Sequence, residues 1–433
     1  MRWGVVALPF NPILALIALL FALFSTWQAR FSGLTQSAIA KAWGLLTLWL
    51  LLTTVLAQYK GEAALGLANF LPYFLVFLAY QYLIRNFQRL TVLTWSLVLP
   101  SALMTLLGLG QQFLGWQTPA WLSLLGTNLV AYGRPEGRIS SLLMYANIFS
   151  AYLLMVLPLN LGLIIQTFRQ WQRESQSQSQ SRLLQITIAL STLAIFNAIA
   201  LFLTDSRSAW GIGLGILFLY AFYLAWYGFI GFGVGLAGVI AWASWGPFAK
   251  EPFRQIVPRY IWGRLSDELY PDRYMTAYRS TQWDFAWDMM VQRPIFGWGL
   301  RNFTPLYQIA MNVWLGHPHN LFVMLLGEIG IPGTLLFLGI VGLILAQAVQ
   351  VLFLLRKTRS LPHQKQYLLL FSYLVSFGSV MAYNLLDVTI FDIRVSLLGW
   401  ILLAAIAGIS TRYGALIPLS WRVFPTVNKA VNP

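Results

Sequence analysis

What most restricts this chain is a succession of uninterrupted apolar runs, each long enough to cross a bilayer, which takes roughly 17 to 25 residues of helix. They fall at 5–25, 42–58, 66–84, 91–114, 141–166, 184–204, 209–226 and 228–246, then near 321–355, 366–386 and 395–411. In hydrocarbon every backbone N–H and C=O must be satisfied internally, so runs of this length fold as helices. The expected fold class is an all-α polytopic membrane protein with about 11–12 transmembrane helices. The run at 321–355 is too long for a simple span, and Gly330-Ile331-Pro332-Gly333 is expected to break it. Charge agrees with this class: 9% of the 433 residues are charged, against roughly 25% in a soluble domain. With no cysteine in the chain, disulfides, thiolate catalysis and Cys-ligated metals are excluded.

A net charge of +15 raises the question of nucleic acid, but the placement of the charge answers it. Basic residues sit in short gaps between apolar runs: Arg85 and Arg89, then Arg169, Arg173 and Arg182, then Arg356, Lys357, Arg359 and Lys365. That is the positive-inside pattern of cytoplasmic loops, and no nucleic-acid partner is expected. Segments 116–140, 205–208, 247–318 and 387–394 then share the opposite face. The chain divides into an N-terminal helix bundle over 1–246, a large extracytoplasmic loop over 247–319, C-terminal spans over 320–411 and a cytoplasmic tail over 412–433 with Arg412, Arg422 and Lys429. The Ser-Gln stretch from Glu174 to Ser181 reads as a solvated, mobile loop. The large loop holds six of thirteen acidic residues and eight of twenty-eight basic ones, so it is a solvated, folded elaboration resembling a lid. Its Trp283, Phe285, Trp287, Met289 and Met290 suggest an amphipathic helix on the membrane face. The glycines of 211–238 read as sites of close helix packing.

Few residues are equipped for chemistry. Of three histidines, two stand in His317-Pro318-His319-Asn320, where the large loop re-enters the membrane. Neutral imidazole accepts a proton near neutral pH; the plainer alternative is that His319 or Asn320 caps the following helix. Arg207, in Thr204-Asp205-Ser206-Arg207-Ser208, lies at a polar break on the same face. It reads either as a local ion pair with Asp205 or as a phosphate clamp, since guanidinium presents a planar fork of donors. Glu328 falls within the apolar zone, as a functional carboxyl or as a protonated one bonded to a neighbouring helix. No His/Asp/Glu cluster shows metal-ligand spacing, and no phosphate-binding Gly-x-x-x-x-Gly-Lys loop occurs.

Three groups of residues resemble a known family. His319-Asn320, nine residues, then Gly330-x-x-Gly333 is similar to the signature of the bacterial O-antigen ligase and polymerase superfamily. Asp205-Ser206-Arg207 looks like that family's arginine at an extracytoplasmic helix end. Arg293-Pro294-Ile295-Phe296-Gly297-Trp298-Gly299, followed by Asn302-Phe303, is similar to its Pro-x-x-Gly-x-Gly segment. The likeness spans roughly 130–410 by topology and about thirty residues by motif.

The resemblance implies a GT-C-like, metal-independent, inverting glycosyltransferase of a bacterial inner membrane, with no cofactor. Its partners would be membrane lipids, an undecaprenyl-diphosphate-linked glycan donor and a glycan or lipid A core acceptor, in lipopolysaccharide or other surface polysaccharide synthesis. His319 would be the catalytic base. Arg207 would bind the diphosphate, joined by a loop arginine for which Arg279 is the best match, with Arg264 and Arg273 as alternatives. His317 lies outside the signature and has a supporting place at most. A protein hydroxyl as acceptor, or a secondary transporter for a bicarbonate-type solute, are the competing readings.

Overall fold

The computed structural model describes residues 1–124, 126–269, 278–357 and 361–414. Arg273, Arg359, Arg422 and Lys429 fall outside them. Eighteen helices follow in order: α1 Arg2–Ala7, α2 Pro12–Thr35, α3 Ala38–Val55, α4 Lys60–Leu67, α5 Leu71–Leu83, α6 Phe87–Leu114, α7 Ala120–Leu124, α8 Ala146–Trp171 and α9 Ser177–Leu203. Then come α10 Arg207–Tyr223, α11 Tyr227–Trp245, α12 Glu251–Ile256, α13 Arg259–Leu265, α14 Arg279–Gln292, α15 Phe303–Met311, α16 Leu321–Lys357, α17 Leu361–Tyr383 and α18 Ile393–Gly414. Each apolar run becomes a long helix, or in the case of α4 and α5 a helix pair. Among the described residues, ten spans are long and apolar enough to cross a membrane, and α10, with 17 residues, adds a shorter apolar helix. The all-α polytopic class is therefore correct.

Helices α8 and α18 form the interior of the bundle. Helix α8 packs on α6, α9 and α17, and α18 on α5 and α16. Where α3, α5, α16 and α18 meet, Trp43, Phe74, Phe77, Phe337 and Trp400 interlock, with Trp43 stacked on Phe74 at 4.6 Å and edge-on to Trp400 at 5.3 Å. Lipid is as apolar as this core, so such packing rather than water exclusion holds the helices together. Each aromatic pair contributes about 0.5–1.5 kcal/mol.

Helix α16 is broken as expected. Gly330 has φ +73 and ψ 174, and Pro332 follows it. A β-carbon at Gly330 would lie 1.9 Å from the Ile295 carbonyl oxygen, so only glycine lets the loop come this close. The Pro-x-x-Gly-x-Gly segment fills the break. Trp298 N–H donates to the Gly327 carbonyl at 3.0 Å, Gly299 N–H to that of Glu328 at 2.8 Å, and Ile331 N–H to that of Pro294 at 2.8 Å. Trp49 Nε1–H donates to the Ile329 carbonyl at 3.0 Å. Carbonyls released by the break thus regain donors, as a buried backbone requires. The Arg293 guanidinium sits 4.0 Å over the Trp298 ring and tightens the clasp.

Three expectations need correction. Only Gly213 and Gly233, of the eight glycines in 211–238, meet a neighbour closely: a β-carbon there would come to 3.0 Å from Leu201 and 2.5 Å from Phe218. Around the other six nothing lies within 4 Å; four of them are on α11, which stands at the margin of the bundle with few buried residues. Ser177–Ser181 are helical, the polar first turns of α9. Helix α14 does not rest only on the membrane face: Gln282, Ala286 and Met289, one stripe at helical spacing, are buried. That stripe meets α16 at Gly327, where a β-carbon would be 2.9 Å from the Ala286 carbonyl. Trp287, off the stripe, stays exposed.

Candidate active site

The four segments assigned to one face by charge converge at one end of the bundle. Residues 136–138, 205–208, Tyr260, Arg264 and Arg279 line a cleft of about 970 Å³ whose wall includes Tyr145, Asn147 and His319. Those same three residues also border a second chamber of about 660 Å³, lined by residues of 301–317 and 387–392. At the opposite end, some 33 Å away along α8 at the usual helical rise, Arg169, Arg173 and Lys365 lie together.

Sequence dictates how His319 is held. Asn320 accepts from the N–H groups of Phe322 and Val323 at 3.0 and 3.2 Å, so the cap at the start of α16 belongs to Asn320. His319, at φ +53, is turned out of the helical path. Its Nδ1 lies 3.2 Å from Oδ1 of Asp387. The Leu321 N–H donates to the Asn384 carbonyl at 2.8 Å, fixing the turn after α17 against the start of α16. The cap and the outward histidine are therefore compatible, since neighbouring residues perform them.

Asp387 is 5% exposed and fully engaged. Oδ1 also accepts from its neighbour Val388 N–H at 2.8 Å, and Oδ2 from Asn147 Nδ2–H at 2.7 Å. Burial pushes its carboxyl up, but the hydrogen bond and charge of His319, with His317 and the Val388 amide, more than offset this and hold it down at about 2. An ionised Asp387 fixes the proton of His319 on Nδ1 and leaves Nε2 with the lone pair. His317 Nδ1 accepts from the His319 backbone N–H at 3.2 Å. Burial, then the charge of His319, push His317 down to about 4, so it is a neutral prop and not a second base.

Asn147 connects this pair to the cleft. Its Oδ1 accepts from Arg138 at 2.6 Å, and Arg138 Nε–H also donates to the Thr204 carbonyl at 2.8 Å. Arg207 opens α10 and lines the cleft. Its partner is not Asp205 but Asp267, at 2.8 Å, and it also donates to the Arg264 carbonyl at 2.8 Å. Asp205 is bound instead by Tyr260 and Arg264. Arg279, at the start of α14, lies 3.4 Å from Ser208 Oγ and faces the same space. Of the loop arginines foreseen, Arg264 and Arg279 both reach the cleft.

Glu328 is away from both cavities. Its side-chain Oε1 accepts from the Phe303 N–H at 3.3 Å, securing the loop to α16. One expectation about metals is revised: His317, His319 and Asp387 bring one ligand atom each within 4.8 Å of one another. Local spacing concealed this because Asp387 lies 68 residues beyond His319. Both Nδ1 atoms of the pair already take part in hydrogen bonds, an arrangement suited to orienting a proton acceptor.

Sequence reading missed Arg138, Asn147 and Asp387. Asp387 was findable in principle, as one of thirteen acidic residues and placed in a short turn on the functional face. Arg138 and Asn147 carried no such mark. No curated protein matches the chain. Residues 192–338, a stretch that includes Arg207, Arg264, Arg279, His319 and the break in α16, match the O-antigen ligase family model.

Proposed function

We propose that this protein transfers a saccharide from an undecaprenyl-diphosphate-linked donor to an acceptor hydroxyl at the periplasmic face of a bacterial inner membrane, as a ligase or polymerase of surface polysaccharide. The observation that carries the reading is an arginine-lined cleft meeting an aspartate-oriented histidine at one wall.

In this reading the diphosphate lies against Arg207 and Arg279. The acceptor O–H gives its proton to Nε2 of His319 as its oxygen attacks the anomeric carbon. The bond from that carbon to the diphosphate oxygen breaks, and its electron pair leaves with the diphosphate. Charge grows on that oxygen in the transition state, where fixed guanidinium groups are most effective. Attack opposite the leaving group inverts the anomeric carbon. Asp387 stabilises the imidazolium as it forms, and Asn147 holds Asp387 in place. Positive charge from arginines makes transfer independent of a divalent metal.

The test is transfer from a synthetic undecaprenyl-diphosphate glycan by purified protein in EDTA. Wild type should transfer, while His319→Ala and Arg207→Ala should each lose roughly 10²–10⁴-fold in rate, the usual worth of a general base or of a charge-stabilising group. Normal transfer by His319→Ala would sink the mechanism, and transfer abolished by EDTA but restored by a divalent cation would overturn the metal-free form.

A further inference from the structure

The two cavities share a wall made by Tyr145, Asn147 and His319, but differ in character. The first has four arginines, Arg138, Arg207, Arg264 and Arg279, against Glu136 and Asp205. The second has one, Arg301, against Glu62, Asp387 and Asp392. Arg301 is already paired with Glu62 at 3.0 Å. The carboxylates are engaged too, Asp387 by His319 and Asp392 by Arg394 at 3.3 Å, but with three acidic residues to one arginine, against two to four in the first cavity, an anionic group is disfavoured here relative to the cleft.

The chamber also presents flat apolar surfaces. Trp314, 69% exposed, stands at its edge, and Phe391 lies parallel to His317 at 5.8 Å between ring centres. Gln308 and Thr304 add amide and hydroxyl groups beside them. A hexose has one face of C–H groups and an equatorial rim of hydroxyls. An indole plane with nearby amide, hydroxyl and carboxylate groups complements both parts.

We infer that this second chamber is the acceptor site, and that it selects a sugar without negative charge, seated on Trp314. The inference rests on the glycosyl-transfer reading above and adds the acceptor's class to it. The reacting hydroxyl approaches His319 from the side opposite the diphosphate, so the two substrates reach the same imidazole without competing for space. A phosphorylated sugar is disfavoured by a lining in which carboxylates outnumber arginines.

Saturation-transfer NMR on the full chain in detergent micelles tests this, with methyl glycosides of glucose, galactose and mannose and the three corresponding 6-phosphates as probes. At least one neutral glycoside should receive saturation, and more than its 6-phosphate does. Trp314→Ala should cut that signal about five- to tenfold, the loss of one aromatic contact, while Trp314→Phe keeps most of it. Binding of undecaprenyl diphosphate to Trp314→Ala should match wild type, which separates a lost acceptor site from a misfolded chain. Stronger saturation of the 6-phosphates, no saturation across the panel, or indifference to Trp314→Ala would each overturn the assignment. Sugar binding as described but without any transfer from the lipid donor would instead count against the glycosyltransferase reading, so the two failures are distinguishable.

Discussion

At the scale of single residues, the site depends on a side chain that motif reading did not supply. His319 was legible because histidine is rare here and sits at a loop–helix junction. Its partner Asp387 was not, because pairing across 68 residues is decided by how α16 and α17 pack. Asp387→Asn keeps the shape but can offer its amide N–H to Nδ1, favouring the wrong tautomer. Transfer should then fall by roughly 10²–10⁴-fold while affinity for undecaprenyl diphosphate is unchanged. Equal losses in binding and rate would assign Asp387 a purely structural place. Arg207 shows the limit of local reading from the other side: its nearest acidic neighbour in sequence, Asp205, is taken by Arg264, and its own partner comes from the loop.

At the scale of elements, length and hydropathy made the long helices readable, and glycine with proline marked the break in α16. The destination of the loop was harder. The Pro-x-x-Gly-x-Gly segment has no regular periodicity, and its purpose becomes visible only against the carbonyls of Gly327, Glu328 and Ile329 that it and Trp49 satisfy. Likewise Trp283, Phe285, Trp287, Met289 and Met290 suggested a membrane-facing helix, whereas Met289 and Met290 are buried in α14 together with the inconspicuous Gln282 and Ala286. Gly330→Ala would add a methyl group against the Ile295 carbonyl at a backbone angle that disfavours any β-carbon. The expected cost is about 2 kcal/mol or more in stability, with loss of transfer because His319 stands directly ahead of the N-terminal half of α16. Thermal unfolding in detergent checks the first part, and a variant as stable as wild type would contradict the clasp.

At the scale of the molecule, charge placement alone identified which segments share a face, and they do converge at one end of the bundle. Two buried groups there link proton uptake to stability. His317 is held near 4 instead of the ordinary 6.5, and Asp387 near 2 instead of 3.8. In both cases the unfolded chain binds protons at pH values where the folded chain does not, so stability falls with falling pH. The His317 contribution is complete above about 6.5 and is lost toward about 4; that of Asp387 is complete above about 3.8 and is lost toward about 2. Unfolding temperatures across this range should therefore decline in two stages, with His317→Gln removing the upper one and Asp387→Asn the lower. A single decline unaffected by either variant would place the sensitive groups elsewhere.

The common wall of Tyr145, Asn147 and His319 has a consequence for the timing of the reaction. On the proposed reading, a donor and an acceptor in separate compartments have no need to take turns, and neither must depart before the other arrives. Initial rates measured against both concentrations should give intersecting double-reciprocal lines, the mark of a complex holding both partners together. Parallel lines would mean that the sugar is first parked covalently on the protein, a route for which an imidazole serving both compartments at once would be poorly placed.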